Sequence, residues 1–529
     1  MSGYKHAKEQ FVSGSAGGSI LTINTVCATA VTTYALWTIV SARFSSRTAS
    51  SLKAPFYEFL VLVVPLLLAL TLAAAHAFLL NAFLVLCIVA CSSVLPPTPL
   101  SPPLSPMTSK RSTPTPGAHS STHLPSFQVF NRPFVTVYRA HMMLMTVICI
   151  LAVDFPIFPR SFAKAETYGT SIVSSLSLSP LPFFHDVFWP KSNSYFTYEK
   201  MDLGVGSFVF SLGLISALPI LRQKQTESSV LHEILKSIQH SAGLLALGMV
   251  RVVMVKGVDY PEHVTEYGVH WNFFFTMAIL PVFGAGLERL VPIIGFTLMA
   301  LIVTAVHQLI LSRTSLTSWV LTAARVSLVS QNKEGLVSLP GYLAIYLLGL
   351  GTGLYVLPPD PYFYHVMTTT ADSHASEGVQ RKLAEKKEKV WRSKPDKLAS
   401  VLGSYAIIWS TLFVLVRWSG IEVSRRLANL PYVLWVAAFN TAFLFLYLCV
   451  HLWASKSPTT RSSSAPRIFE AINKNGLLVF LVANLLTGLV NVSIESMYTG
   501  TMIAMLSLIV YCALVVGAAW ALKGKKLRI

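Results

Sequence analysis

The stretch FVTVYRAHMMLMTVICILAV (Phe134–Val153) decides the fold class. It holds two basic side chains, Arg139 and His141, and no acid. About 20 apolar residues in helical form cross the hydrocarbon core of a bilayer. The chain then changes character at once. The next segment, DFPIFPRSFAKAETYGT (Asp154–Thr170), packs an aspartate, two prolines, an arginine, a lysine, a glutamate and a glycine into one turn-rich run. Pro156 and Pro159 forbid a simple continuation of the helix. They favour a loop folded back on the end of a bundle, able to bring Asp154 and Lys164 together. A carboxylate can take a proton from an alcohol, and a lysine can hold a carbonyl oxygen that turns anionic, or a phosphate.

The rest of the chain repeats the first pattern. Its 529 residues are 53% hydrophobic and 12% charged, and mean hydropathy is +0.58. A soluble protein would carry about 25% charged residues. The expected fold class is all-α, a polytopic transmembrane helical bundle forming one domain over 1–529. Thirteen spans are expected, at 19–42, 57–74, 76–95, 134–153, 203–221, 235–256, 271–290, 291–312, 339–357, 401–418, 430–453, 476–494 and 500–522. A β-barrel is excluded by the lack of alternating short strands. The six cysteines lie in apolar segments without CxxC spacing, which argues for buried thiols, with no zinc site and no disulfide framework. A cleavable signal peptide is not expected, because 1–18 is polar and the first apolar run is too long.

The net charge of +18 fits topology and anionic lipid better than nucleic acid, which is not an expected partner. With a cytoplasmic C-terminus, about 26 of the 41 Lys and Arg fall on the cytoplasmic side, as the positive-inside rule asks. The N-terminus and the loop after Val153 are then lumenal or extracellular. Residues 96–130 are rich in Pro, Ser and Thr and read as a disordered cytoplasmic loop. Residues 358–400 form a basic cytoplasmic loop. The NVS sequon at Asn491 falls inside a span and is discounted.

Ionisable and amide side chains inside or beside spans are functional candidates. Arg139 and His141 either snorkel or bind ligand. His270, Trp271 and Asn272 begin the seventh span, where an aromatic belt accounts for the tryptophan alone. Asn484, Thr487 and Asn491 share one helix face, either as an interhelical hydrogen-bonding stripe or as a polar cavity wall.

Five stretches carry a resemblance: TVYRAHMMLMTVICILAVDFPIFPRSFAKAETYGTS (136–171), MDLGVGSFVFS (201–211), EYGVHWNFFFTMAILPV (266–282), LANLPYVLWVAAFNTAFL (427–444) and INKNGLLVFLVANLLTGLVN (472–491). They resemble the PIG-W type inositol acyltransferases of glycosylphosphatidylinositol (GPI) anchor synthesis, in their fungal form. The resemblance implies an endoplasmic reticulum membrane enzyme of about thirteen spans. Its partners would be acyl-CoA as co-substrate, glucosaminyl-phosphatidylinositol as acceptor, and membrane lipid, with no cofactor and no metal. It implies transfer of a fatty acyl group, commonly palmitoyl, to the inositol 2-hydroxyl. The family's catalytic aspartate and lysine fall on Asp154 and Lys164, with His270 an alternative base. Phe155, Arg160 and Asp202 in the matching motifs join Arg139, His141, His270, Trp271, Asn272 and Asn484 as expected substrate-binding residues.

One departure stands out. Residues 172–200 intervene where the family runs almost directly into MDLGVGSF, and they read as an added loop or a retained intron. The tail KKLRI is near a dilysine retrieval signal without matching it, so the reticulum assignment follows from the resemblance. Two other classes fit the composition. A secondary transporter also has many spans and polar residues at depth, although the halves show no repeat. An unrelated membrane-bound O-acyltransferase would need a deep histidine, for which His307 is the candidate.

Overall fold

The computed structural model describes residues 11, 20–44, 53–94, 132–162, 200–222, 230–257, 267–369, 394–456 and 464–525. Among these, all regular structure is helical. Thirteen long helices carry the bundle. They are α1 (Ile20–Phe44), α2 (Ala54–Leu70), α3 (Ala77–Val94), α4 (Pro133–Ala152), α5 (Lys200–Arg222), α6 (Val230–Gly257), α7 (Phe273–Leu287), α8 (Val291–Arg313), α9 (Lys333–Val356), α10 (Pro395–Trp418), α11 (Leu430–Lys456), α12 (Gly476–Ser493) and α13 (Thr501–Ala521).

Eleven helices among the described residues are long and apolar enough to cross a membrane, against the thirteen expected. The two other expected spans are also helical. Helix α2 is 17 residues long and contains a π-turn at Phe59–Val63. Helix α6 is 28 residues long and carries Glu233, Lys236, His240 and Arg251. The expected loop at 96–130, most of 172–200, and 370–393 of the basic loop lie outside the described residues.

Burial separates an inner set of helices from an outer one. Helices α4, α9 and α11 are 72% buried within their apolar windows, whereas α3, α10 and α12 are 17% buried. On α3 the exposed residues are Phe78, Leu79, Phe83 and Leu86, an apolar surface suited to lipid tails.

The inner helices approach closely because glycines face carbonyls. A Cβ at Gly349 of α9 would fall on the Phe210 carbonyl oxygen of α5. One at Gly213 of α5 would fall on the Tyr346 carbonyl, and one at Gly353 on that of Leu214. Close approach of this kind replaces hydrophobic driving force, which lipid does not provide.

Helix ends meet in two polar layers. In one, the Glu58 carboxylate accepts from the Arg467 and Ile468 N–H groups, Arg132 donates to the Pro358 carbonyl, and Asp360 pairs with Lys394 and Lys397. In the other, Asn332 Oδ1 accepts from the His270 and Trp271 N–H groups at 2.8 Å each. There too, buried Glu334 receives Arg325 and Arg426. Asp154 belongs to this second layer.

The glycine contacts generate a test. Gly349→Ala should lower the thermal unfolding midpoint of the detergent-solubilised protein, equivalent to about 1–3 kcal/mol, as overpacking does. Gly488→Ala, where a Cβ would meet nothing within 4 Å, should leave the midpoint within a degree or two. Equal midpoints for both variants would contradict the packing.

Candidate active site

The site begins where α4 ends. Pro156 has no N–H to continue the helical ladder, so the chain closes a series of tight turns instead. The Asp154 N–H donates to Leu151 O, Phe155 N–H to Ala152 O, Phe158 N–H to Phe155 O and Phe162 N–H to Pro159 O. Phe155, Phe158 and Phe162 are fully buried and anchor this reversal in the core. The expected folded-back loop is what forms, as far as Phe162.

Arg160 holds it in place. Its Nη2 donates to the carbonyls of Val153, Phe155 and Phe158, each at 3.0 Å. Its guanidinium also lies 4.2 Å from the Phe11 ring centre. The last carbonyls of a helix lack intrahelical donors, and a planar multi-donor fork suits several at once. Burial pulls the Arg160 guanidinium below its usual range, and the Asp154 carboxylate nearby pushes it back up. Arg160 therefore organises the turn that presents Asp154.

Asp154 is 5% exposed. Its Oδ2 accepts a 2.7 Å hydrogen bond from Asn491 Nδ2 in the last turn of α12. Asn491 Oδ1 in turn accepts from the Ser496 hydroxyl at 3.3 Å. Ser496 is fully buried and begins the 3-10 turn Ser496–Tyr498 between α12 and α13. The arrangement is a buried carboxylate at the end of a span, with Oδ2 held by an amide. A carboxylate so placed can take a proton from a hydroxyl brought within hydrogen-bond reach.

The remaining expected residues are dispersed. Lys164 lies outside the described residues, and Asp202 falls in the first turn of α5. Arg139 and His141 sit on α4 about 20 Å before Asp154, at 1.5 Å per helical residue. Arg139 Nε donates to Ser211 Oγ at 3.3 Å. His141 is fully buried, with Nδ1 2.9 Å from the Tyr447 hydroxyl and its ring edge-on to Phe469.

Asn272 caps α7. Its Oδ1 accepts from the Phe274 and Phe275 N–H groups, and its Nδ2 donates to Gly248 O on α6. Trp271 Nε1 donates to Thr276. Asn484 faces outward and bonds its own helix at Phe480 O. His307, the deep histidine of the alternative acyltransferase class, bonds the Leu427 carbonyl at 2.9 Å. None of the six cysteines forms a disulfide.

Of the polar stripe on α12, Thr487 meets Tyr511 of α13 at 3.3 Å, and Asn491 meets Asp154. Asn491 and Ser496 are absent from the sequence-derived site. The stripe marked Asn491 as inward, but nothing in one sequence pairs it with a residue 337 positions away. Its amide, the would-be acceptor of the NVS sequon, is bound to the aspartate.

The GWT1 family model matches residues 4–174 and 193–522. The chain belongs to the GWT1 family. This is the fungal form of the PIG-W type to which the motifs pointed. Three similar proteins are each called GPI-anchored wall transfer protein 1. That of Gibberella zeae is 38% identical over 98% of this chain and 97% of its own length. That of Aspergillus fumigatus is 39% identical over 99% of each. That of Cryptococcus neoformans is 43% identical over 75% of this chain and 63% of its own length. The break in the GWT1 match, 175–192, lies inside the 172–200 segment that reads as an addition.

The capping role of Asn272 is testable. Asn272→Ala should lose about 1 kcal/mol of stability, and Asn272→Ser, which keeps a cap, should recover most of it. Denaturation of the purified protein reads this directly. A raised substrate KM with unchanged stability would instead make Asn272 a ligand-binding residue.

Proposed function

We propose that the protein transfers a fatty acyl group, commonly palmitoyl, from acyl-CoA to the inositol 2-hydroxyl of glucosaminyl-phosphatidylinositol during GPI-anchor synthesis. The observation that carries this is the buried Asp154 carboxylate, held at the end of α4 by Asn491, in a chain of the GWT1 family. The names of the relatives, GPI-anchored wall transfer proteins, point to the same pathway. The protein acts in the endoplasmic reticulum membrane. Its N-terminus is lumenal and its C-terminus cytoplasmic, so the Asp154 layer faces the lumen.

In this reading Asp154 accepts the proton as the inositol oxygen attacks the thioester carbonyl. A C–O bond forms and the carbonyl oxygen becomes an oxyanion, which Lys164 stabilises. The intermediate collapses with cleavage of the C–S bond. The thiolate takes up the proton from Asp154 and leaves as CoA-SH. The products are an O-acylated inositol lipid and free CoA. No cofactor is required, because the thioester supplies the driving force.

Incubating the purified protein with labelled acyl-CoA and glucosaminyl-phosphatidylinositol tests the reaction. Labelled lipid with stoichiometric CoA release is the expected result. A transporter would give neither. Asp154→Asn should abolish transfer while membrane insertion persists, and near-normal turnover would pass the role of base to His270. Lys164→Met should cost about two to four kcal/mol of transition-state stabilisation. A loss that vanished at saturating acyl-CoA would make Lys164 a binding residue.

A further inference from the structure

The start of the chain reaches the turn that presents Asp154. Phe11 precedes α1 and is half-buried. The Arg160 guanidinium carbon lies over its ring, 4.2 Å from the centre. The Phe11 carbonyl oxygen accepts from Arg160 Nη1 at 3.4 Å, across 149 positions of sequence. The segment before α1 and the turn after α4 therefore meet at one end of the bundle.

Arg160 is the residue through which this contact acts. Its Nε donates to the Phe158 carbonyl at 3.2 Å. Its Nη2 has two protons to divide among the carbonyls of Val153, Phe155 and Phe158. A proton shared between two acceptors cannot be linear to both, and hydrogen bonds weaken as they bend. All of these acceptors belong to the turn that the fork is holding. Nη1 finds its acceptor outside the turn, on Phe11. The Phe11 ring adds the attraction of an aromatic face for a cation, which grows as the pair is withdrawn from water. Phe11 thus fixes the fork against a separate segment, and the fork fixes the backbone on both sides of Asp154.

We propose that Phe11 is a positioning residue for acyl transfer. It clamps the Arg160 guanidinium, which keeps the Val153–Phe155 backbone in the geometry that lets the Asp154 carboxylate meet the inositol hydroxyl. Phe11 does not touch the reacting atoms. This role rests on the acyltransferase reading above. It adds to Asp154 a residue from the start of the chain, which the motif around Asp154 does not contain.

The test uses the full chain in detergent, with acyl-CoA and glucosaminyl-phosphatidylinositol both varied and kcat expressed per folded molecule. Phe11→Ala should lower kcat about 3- to 30-fold, the range that a cation–aromatic contact of this kind spans, and leave both KM values within twofold. Phe11→Leu keeps apolar bulk without the aromatic face and should lose about as much. Phe11→Tyr keeps the face and should stay within about twofold of the wild type. Phe11→Ala introduced into Arg160→Gln should cost nothing further, because the ring acts through the guanidinium.

A wild-type kcat in Phe11→Ala overturns the proposal. So does a wild-type kcat in Phe11→Leu, which would leave bulk as the cause, or a loss in Phe11→Tyr equal to that in Phe11→Leu. Losses that multiply in the double variant, a loss confined to KM, or a lower yield of folded protein at unchanged kcat overturn it as well. If Phe11→Ala or Arg160→Gln does not accumulate, the contrast between Phe11→Leu and Phe11→Tyr decides by the same kcat criterion. An inactive wild-type protein would remove the acyltransferase reading and this inference with it. An active wild type with an unaffected Phe11→Ala removes the inference alone.

Discussion

The hydrogen bond from Asn491 Nδ2 to Asp154 Oδ2 joins the end of α4 to the end of α12 across 337 residues. Its importance follows from the setting. A carboxylate at the end of a membrane-length helix is costly to bury unless its lone pairs find donors. Asn491 supplies one donor, and the Arg160 fork satisfies the carbonyls on either side. The turn that Pro156 imposes is thereby held against the α12–α13 corner. In the proposed reaction a carboxylate placed this way is ordered before substrate arrives, which lowers the entropic cost of reaction.

The same rule governs the rest of the bundle. Several charges that enter the inner helices meet a partner there. Glu334, fully buried near the start of α9, receives Arg325 through both carboxylate oxygens and Arg426 as well. Lys333 beside it gives its ammonium to the carbonyls of Trp319 and Ala323, at the end of a short helix. Tyr138 and Asn440 pair between α4 and α11 at 2.5 Å. These contacts leave the glycine-lined seam between α5 and α9 as the main apolar junction of the interior. The two polar layers close the ends. The proposed reaction uses the layer holding Asp154, while Pro358, Asp360, Lys394 and Lys397 belong to the other.

Much of this was legible in the sequence, and the reasons differ by element. Expected spans 134–153, 430–453, 476–494 and 500–522 agree closely with α4, α11, α12 and α13 because continuous apolar runs bounded by proline, asparagine or glycine define them. Span 339–357 was expected to begin six residues late. Lys333 and Glu334 look like loop residues until Arg325 and Arg426 are seen to neutralise the glutamate. The expected spans 235–256 and 57–74 correspond to helices α6 and α2, the second interrupted by a π-turn. The turn after α4 was readable from its prolines. The partners of Asp154 were not, since hydrogen-bond pairing between distant segments leaves no periodicity in one chain. Asn272 shows the limit from the other side: a polar residue at a span start reads as a ligand group, and the N-cap it makes to α7 is visible only in the structure.

The most direct measurement is a structure of the protein with a non-hydrolysable acyl-CoA analogue and glucosaminyl-phosphatidylinositol. The account predicts the inositol 2-hydroxyl oxygen within about 2.6–3.2 Å of an Asp154 carboxylate oxygen, the reach of a general base. It also predicts that the thioester carbonyl carbon faces the hydroxyl. An inositol ring seated in the opposite polar layer, or a hydroxyl directed at His270 with Asp154 turned away, would contradict it.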